Sequence, residues 1–283
     1  QLRYIARSLT PSPSPRRARG ASSKTGLSSG FVMLSRKAVR MAENINPRRS
    51  WMILPAHGPA EIMRYQEFKP DVVVLDLEYS VRPKSKEAAR SGLGTLVRKV
   101  SASQATAFVR IDRETRWADV SAAMHRGIKG IVFPGPEEPE EVAELGELIA
   151  AMEKERGIDP GITELVLMLE SAKGFWNAAS LAQASPRVTA LGVGRIDLTM
   201  RLGPVPQGEF RLYRFLMTRT LVAARMLDKQ PLGAFWRPGS RGGVASKEST
   251  VKAAREAMLM GFTGCLCATS EQVVSVNAGF TSA

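Results

Sequence analysis

From Trp51 onward, short apolar runs rich in β-branched residues alternate with longer amphipathic segments, and the pattern recurs about eight times. The runs are Trp51 to Leu54, Val72 to Leu77, Thr106 to Ile111, Gly130 to Phe133, Leu165 to Leu169, Thr189 to Val193, Leu232 to Phe235 and Gly264 to Cys267. Between them, Glu138 to Glu155 places Val142, Leu145, Leu148, Ile149 and Met152 at helical spacing, and Phe210 to Leu227 does the same with Leu212, Phe215, Leu216 and Met226. Strand runs alternating with helical runs are the signature of βα units around a parallel sheet. A chain of 283 residues suits one barrel of roughly 250. One closed (β/α)8 TIM barrel over residues 48–283 therefore explains the count better than an open sheet. No Gly-x-Gly-x-x-Gly follows the first run and no Walker-type phosphate loop occurs, which weakens a nucleotide-binding, doubly wound alternative.

The formal charge of +13 would ordinarily suggest nucleic acid or an anionic membrane, but it is concentrated at one end. Residues 1–42 hold nine Lys/Arg and no acid, leaving 31 basic against 27 acidic groups in the remainder. A nucleic-acid partner is therefore not expected, and no apolar run is long enough for a membrane span. The Ser-, Pro- and Arg-rich stretch within residues 1–47 has no apolar periodicity and is expected to be a disordered extension. Two origins fit it: an organelle transit peptide, which would place the protein in the mitochondrial matrix, or an over-extended gene model with Met41 as the natural start. Otherwise the expected location is cytoplasmic. Cys265 and Cys267 are the only cysteines and lie on one face of a strand, so buried structural thiols are expected and a zinc site is not.

Barrels place function where strands end and βα loops begin. Several runs finish in residues that no hydrophobic layer would choose: Asp76 and Glu78, Arg110, Glu170, and Asp197 after Leu-Gly-Val-Gly-Arg-Ile. Parallel strands bring these ends to one rim. Two carboxylates from neighbouring strands, Glu170 and Asp197, begin an oxygen-lined site of the kind Mg²⁺ uses, with water and substrate completing it. Arg110 offers a planar, two-point clamp for a substrate carboxylate. Asp76 and Glu78 either reach the substrate or hold Arg110 or Lys86 in place. His57, just past the first run, either faces the site or is a loop histidine, and His125 belongs to the outer layer.

Together these motifs resemble the HpcH/HpaI aldolase and citrate lyase family, in particular its citrate lyase β-subunit-like branch. The resemblance spans nearly all of residues 49–280. It rests on Arg49-Ser50 with Leu54-Pro55, on Asp76-Leu77-Glu78, on Phe108-Val109-Arg110-Ile111 and on Leu169-Glu170-Ser171-Ala172-Lys173-Gly174. It continues through Gly194-Arg195-Ile196-Asp197-Leu198 and closes on Gly261-Phe262-Thr263-Gly264 with Gln272-Val273, Val276-Asn277 and Phe280. Three positions depart from the branch: Tyr79 replaces the second acid of its Asp-Leu-Glu-Asp segment, Gly135 replaces a lysine, and Ala268-Thr269 replaces His-Pro.

The resemblance implies a Mg²⁺-dependent carbon–carbon lyase that cleaves a 3-hydroxyacyl-coenzyme A of the malyl or citramalyl type to a 2-oxo acid and an acyl-coenzyme A. It implies Glu170 and Asp197 as metal ligands, with Arg110, Glu170, Arg49 and Glu78 around the substrate. The loop after the seventh strand, with Arg237 and Arg241, either holds the phosphates of coenzyme A or is simply a solvated loop. Family members are often homo-oligomers, trimers or larger, so a homotrimer or homohexamer is expected. Two other readings stand beside this one: a 4-hydroxy-2-oxo acid aldolase releasing pyruvate and an aldehyde, and an altered barrel that acts as a binding protein.

Overall fold

The computed structural model describes residues 48–57, 65–194, 200–203, 206–236 and 245–281. The expectations for residues 1–47, Asp197, Arg237 and Arg241 fall outside them. The strands are β1 (Ser50–Pro55), β2 (Val72–Asp76), β3 (Thr106–Arg110), β4 (Ile128–Pro134), β5 (Glu164–Leu169), β6 (Val188–Val193), β7 (Gln230–Leu232) and β8 (Cys265–Cys267). All pair in parallel, in the order β7-β6-β5-β4-β3-β2-β1-β8. A bridge between Leu232 and Gly264, with the Gly233 amide donating to the Gly264 carbonyl at 2.8 Å, closes β7 on β8. This is the expected (β/α)8 barrel.

Helices α1 (Lys86–Ser101), α2 (Arg116–Ala123), α3 (Pro139–Arg156), α4 (Ala172–Trp176), α5 (Ala178–Gln183), α6 (Pro206–Met226), α7 (Lys247–Met260) and α8 (Ser270–Gly279) surround it. Helix α3 starts where its sequence says it should: Pro139 sits in the first turn, and Glu138 and Glu141 form a reciprocal capping box. Thr269 and Gln272 form another for α8, so one of the departures from the family pattern works as a helix cap.

Both faces of the strands are covered, so β2 reads as an apolar run up to its closing Asp76. Alternate residues divide between two cores. Outward-facing Val73, Leu75, Val109 and Leu167 pack beneath the helices, while Trp51, Val74, Phe108, Val166 and Met168 fill the barrel. Both cysteines are buried and free, as expected, and burial pushes the Cys265 thiol up. The His125 ring packs against Gly94 of α1 in the helical layer; burial, then the charges of Arg156 and Arg98, depress its pKa.

The floor of the barrel is ionic. Arg48 donates to both Glu164 oxygens, at 2.6 and 3.0 Å, and lies 5.2 Å from the centre of the Phe108 ring. Lys129 and Thr189 reach the same carboxylate at 3.0 and 2.8 Å. Beside it, Arg49 is bound through Nε and Nη2 to Asp71, at 3.0 and 3.1 Å. This corrects the expectation that Arg49 lines the substrate site. It precedes the first residue of β1, and six strand residues at about 3.3 Å each separate it from the opposite rim.

A second ionic lock joins α3 to the β5–β6 region. Arg187 donates to Glu153 at 2.9 and 2.6 Å, and the amides of Gly161 and Thr163 donate at 2.8 and 2.9 Å. Burial works against the charge of Glu153, but these bonds outweigh it and hold its pKa down to about 2, from an ordinary 4.5. A carboxylate depressed in the folded state contributes stability above its unfolded pKa and loses it as pH falls. Acid titration should therefore lower the melting temperature between pH 4.5 and 2 through this group. Arg187→Met, which strands the buried carboxylate, should cost ~3–5 kcal/mol in urea unfolding at pH 7. A loss below ~1 kcal/mol would show the lock to be idle.

Candidate active site

The rim at the strand C-termini gathers the charged ends expected of it. Asp76 closes β2, Arg110 closes β3 in register with it, and Glu170 follows β5. On β5 the inward positions run Glu164, Val166, Met168 and Glu170, so one strand carries a carboxylate at each end of the apolar lumen. The strand pleat thus places Glu170 over the barrel mouth, where it is only 6% exposed.

Arg110 does not stand alone there. Its Nε and Nη2 donate to the two oxygens of Asp76, at 2.7 and 2.8 Å, and Glu78 lies 3.3 Å from Nε. Asp76 is fully buried and also accepts from the amides of Glu78 (2.9 Å) and Ser80 (2.8 Å). Burial by itself would push the Asp76 carboxyl up. The bonds and charge of Arg110, helped by Ser80 and the Glu78 amide, hold it below the usual carboxylate range instead. Burial likewise opposes the Arg110 charge, and Asp76, then Glu78 and Glu170, more than offset it. Asp76 is therefore the group that fixes Arg110. Its Nε–Nη2 edge is committed to Asp76. Lys86 takes no part; it pairs with Asp112 on the next loop.

Two glycines hold Glu170 from either side. Gly194 follows β6, and a Cβ built there would stand 2.3 Å from Glu170 Cγ and 2.5 Å from its Oε1. No side chain fits at that contact without displacing the carboxylate. Gly135, after β4, has a φ of +55°, which favours glycine, and a Cβ there would lie 3.2 Å from Glu170 Oε2. Sequence reading did not single out Gly194 for this role, because the signal is a contact between strands and not a local pattern.

The rim is acidic: Asp76, Glu78 and Glu170 converge on Arg110, so a bound cation would relieve their repulsion. Carboxylate oxygens suit a hard divalent ion such as Mg²⁺, which needs only one or two from the protein. Among the described residues no group of three or more His, Cys, Asp or Glu is arranged as a complete metal site. Tyr79 is 62% exposed, with Arg110 Cζ 5.2 Å from its ring centre, and His57 at the end of β1 is exposed.

Residues 49–270 match the family described as HpcH/HpaI aldolase/citrate lyase. The chain is 32% identical over 171 residues to the citrate lyase subunit beta of Leuconostoc mesenteroides subsp. cremoris, covering 59% of this chain and 57% of that one. It is 28% identical over 167 residues to the malyl-CoA/beta-methylmalyl-CoA/citramalyl-CoA lyase of Chloroflexus aurantiacus, covering 56% and 48%. The chain thus spans about half the length of these two relatives. Its fold superposes on a citrate lyase beta subunit from M. tuberculosis, solved with oxaloacetate and magnesium, with a TM-score of 0.66 at 23% identity, covering 84% and 98%. No helix among the described residues is long and apolar enough to cross a membrane.

Proposed function

This chain belongs to the HpcH/HpaI aldolase/citrate lyase family, and from that premise we propose that it is a Mg²⁺-dependent carbon–carbon lyase. Its substrate is a 3-hydroxyacyl-coenzyme A of the malyl or citramalyl type, and its products are a 2-oxo acid and an acyl-coenzyme A. The observation that carries the reading is the acidic rim, where Asp76, Glu78 and Glu170 surround one fixed arginine. The Chloroflexus relative, a lyase of such thioesters by name, supports the substrate class.

Glu170 and Asp197 would hold the metal, which when bound supplies Lewis-acid polarisation of the substrate's hydroxyl and carboxylate oxygens. The bond that breaks joins the hydroxyl-bearing carbon to the α-carbon of the thioester. The hydroxyl gives up its proton, its oxygen becomes the oxo group, and the bonding pair passes to the thioester as an enolate, which then takes a proton. Arg110 holds negative charge at the mouth, its orientation set in advance by Asp76. Glu78, at the mouth 3.3 Å from Arg110 Nε, is assigned the hydroxyl proton in this reading. Arg237 and Arg241 are assigned the coenzyme A phosphates on their sequence position alone.

The test offers malyl- and citramalyl-coenzyme A and, separately, 4-hydroxy-2-oxo acids to the Mg²⁺-loaded protein, following glyoxylate or pyruvate as the phenylhydrazone. Release from a thioester is the expected result. Release from the free acids alone would move the assignment to the aldolase reading, and no release from either class would overturn both.

A further inference from the structure

We infer that Arg113 is a second anion-binding residue of this rim, and that the space over Gly135 is the subsite it serves for the carboxylate of the 2-oxo acid portion of the substrate. The inference rests on the lyase reading above and deepens it.

Arg113 lies three residues past the end of β3, in the loop leading to α2. Its Nη1 donates to the Gly135 carbonyl, and its Nη2 donates to Glu141 Oε1 at 2.7 Å. Glu141 is itself fixed by accepting the amides of Glu137 and Glu138, at 2.8 and 3.1 Å, in the capping box of α3. The guanidinium is therefore held in place before any ligand arrives. Its side chain is one-third exposed, whereas Arg110 is 11% exposed. Arg110 is offset by two carboxylates, Asp76 and Glu78, and Arg113 is paired with one. Of the two cations, Arg113 is the more accessible and the less neutralised.

What lies beside it decides its use. A Cβ at Gly135 would stand 3.7 Å from Arg113 Nη1 and 3.2 Å from Glu170 Oε2. The position left open by the glycine hydrogen thus touches both the guanidinium and the carboxylate assigned to the metal. An anionic oxygen placed there meets the Arg113 guanidinium on one side and Glu170 Oε2 on the other, whose like charge a cation bound to Glu170 would offset. A planar carboxylate, with two oxygens, matches the forked donors of arginine.

Calorimetric titration of the Mg²⁺-loaded protein with oxalate, a non-reacting planar mimic of a 2-oxo acid, tests this. In Arg113→Met, oxalate affinity should fall at least tenfold while Mg²⁺ affinity stays within twofold and the melting temperature within a few degrees. Arg113→Lys, which keeps the charge and stem but loses the fork, should fall between. With substrate, KM should rise about tenfold and kcat change less than threefold. Unchanged oxalate affinity in Arg113→Met, or an equal loss of Mg²⁺ affinity in both variants, would overturn the inference while leaving the lyase reading intact. Wild-type protein that takes up neither Mg²⁺ nor oxalate would overturn the reading beneath it as well.

Discussion

Glu170→Gln is expected to weaken Mg²⁺ binding on the order of 100-fold and to lower kcat by about 10³-fold, with the fold intact. The amide has the same shape and enters the same slot between Gly135 and Gly194, so packing is preserved while one formal charge is removed. Three carboxylates converge on Arg110, and neutralising one relieves repulsion in the metal-free protein, so the melting temperature should hold or rise slightly. Calorimetric metal titration and differential scanning calorimetry read the two effects separately. Parent-like Mg²⁺ affinity in this variant would remove Glu170 from the metal site.

The second large effect is expected from a position with no chemistry of its own. Gly194→Ala adds one methyl group, but it would stand 2.3 Å from Glu170 Cγ, so the carboxylate must leave its position. Strain of this kind costs ~1–3 kcal/mol in stability, and displacement of a reacting or liganding group by about 1 Å costs on the order of 100-fold in rate. Mg²⁺ affinity should fall with it, by about tenfold or more. The decisive comparison is between kcat and chemical stability in urea: a large loss in rate beside a modest loss in stability marks a positioning role. Parent-like metal affinity and rate would show that Glu170 tolerates a new rotamer and that the slot is not what holds it.

Much of the barrel is legible in the sequence because a strand covered on both faces writes itself as an apolar run. The Val-Val-Val-Leu of β2 and the Leu-Val-Leu-Met-Leu of β5 leave little choice of element. The seventh strand is less legible. The run Leu232 to Phe235 is apolar throughout, yet β7 ends at Leu232, because the Phe235 amide turns to the Ala253 carbonyl of α7 at 3.1 Å. That partner is a tertiary one and leaves no local trace.

At the rim, residue type and strand position were enough to bring Asp76, Glu78, Arg110 and Glu170 together, since parallel strands all deliver their last residues to one end. The same rule argues against Arg49, which opens its strand and so belongs to the floor with Asp71. What the sequence left undecided was which carboxylate orients Arg110, and the bidentate bond to Asp76 answers it. Arg113, Gly135 and Gly194 gain their interest only from contacts across strands and loops, which spacing along the chain does not encode.

The most direct test of the central claim is the rate of 2-oxo acid release from malyl- or citramalyl-coenzyme A by chelator-stripped protein as Mg²⁺ is added back. A rate that is near zero without metal, saturates with Mg²⁺ and stays near zero in Glu170→Gln is the predicted result. Release that proceeds equally in excess chelator, or that survives intact in Glu170→Gln, would contradict the account.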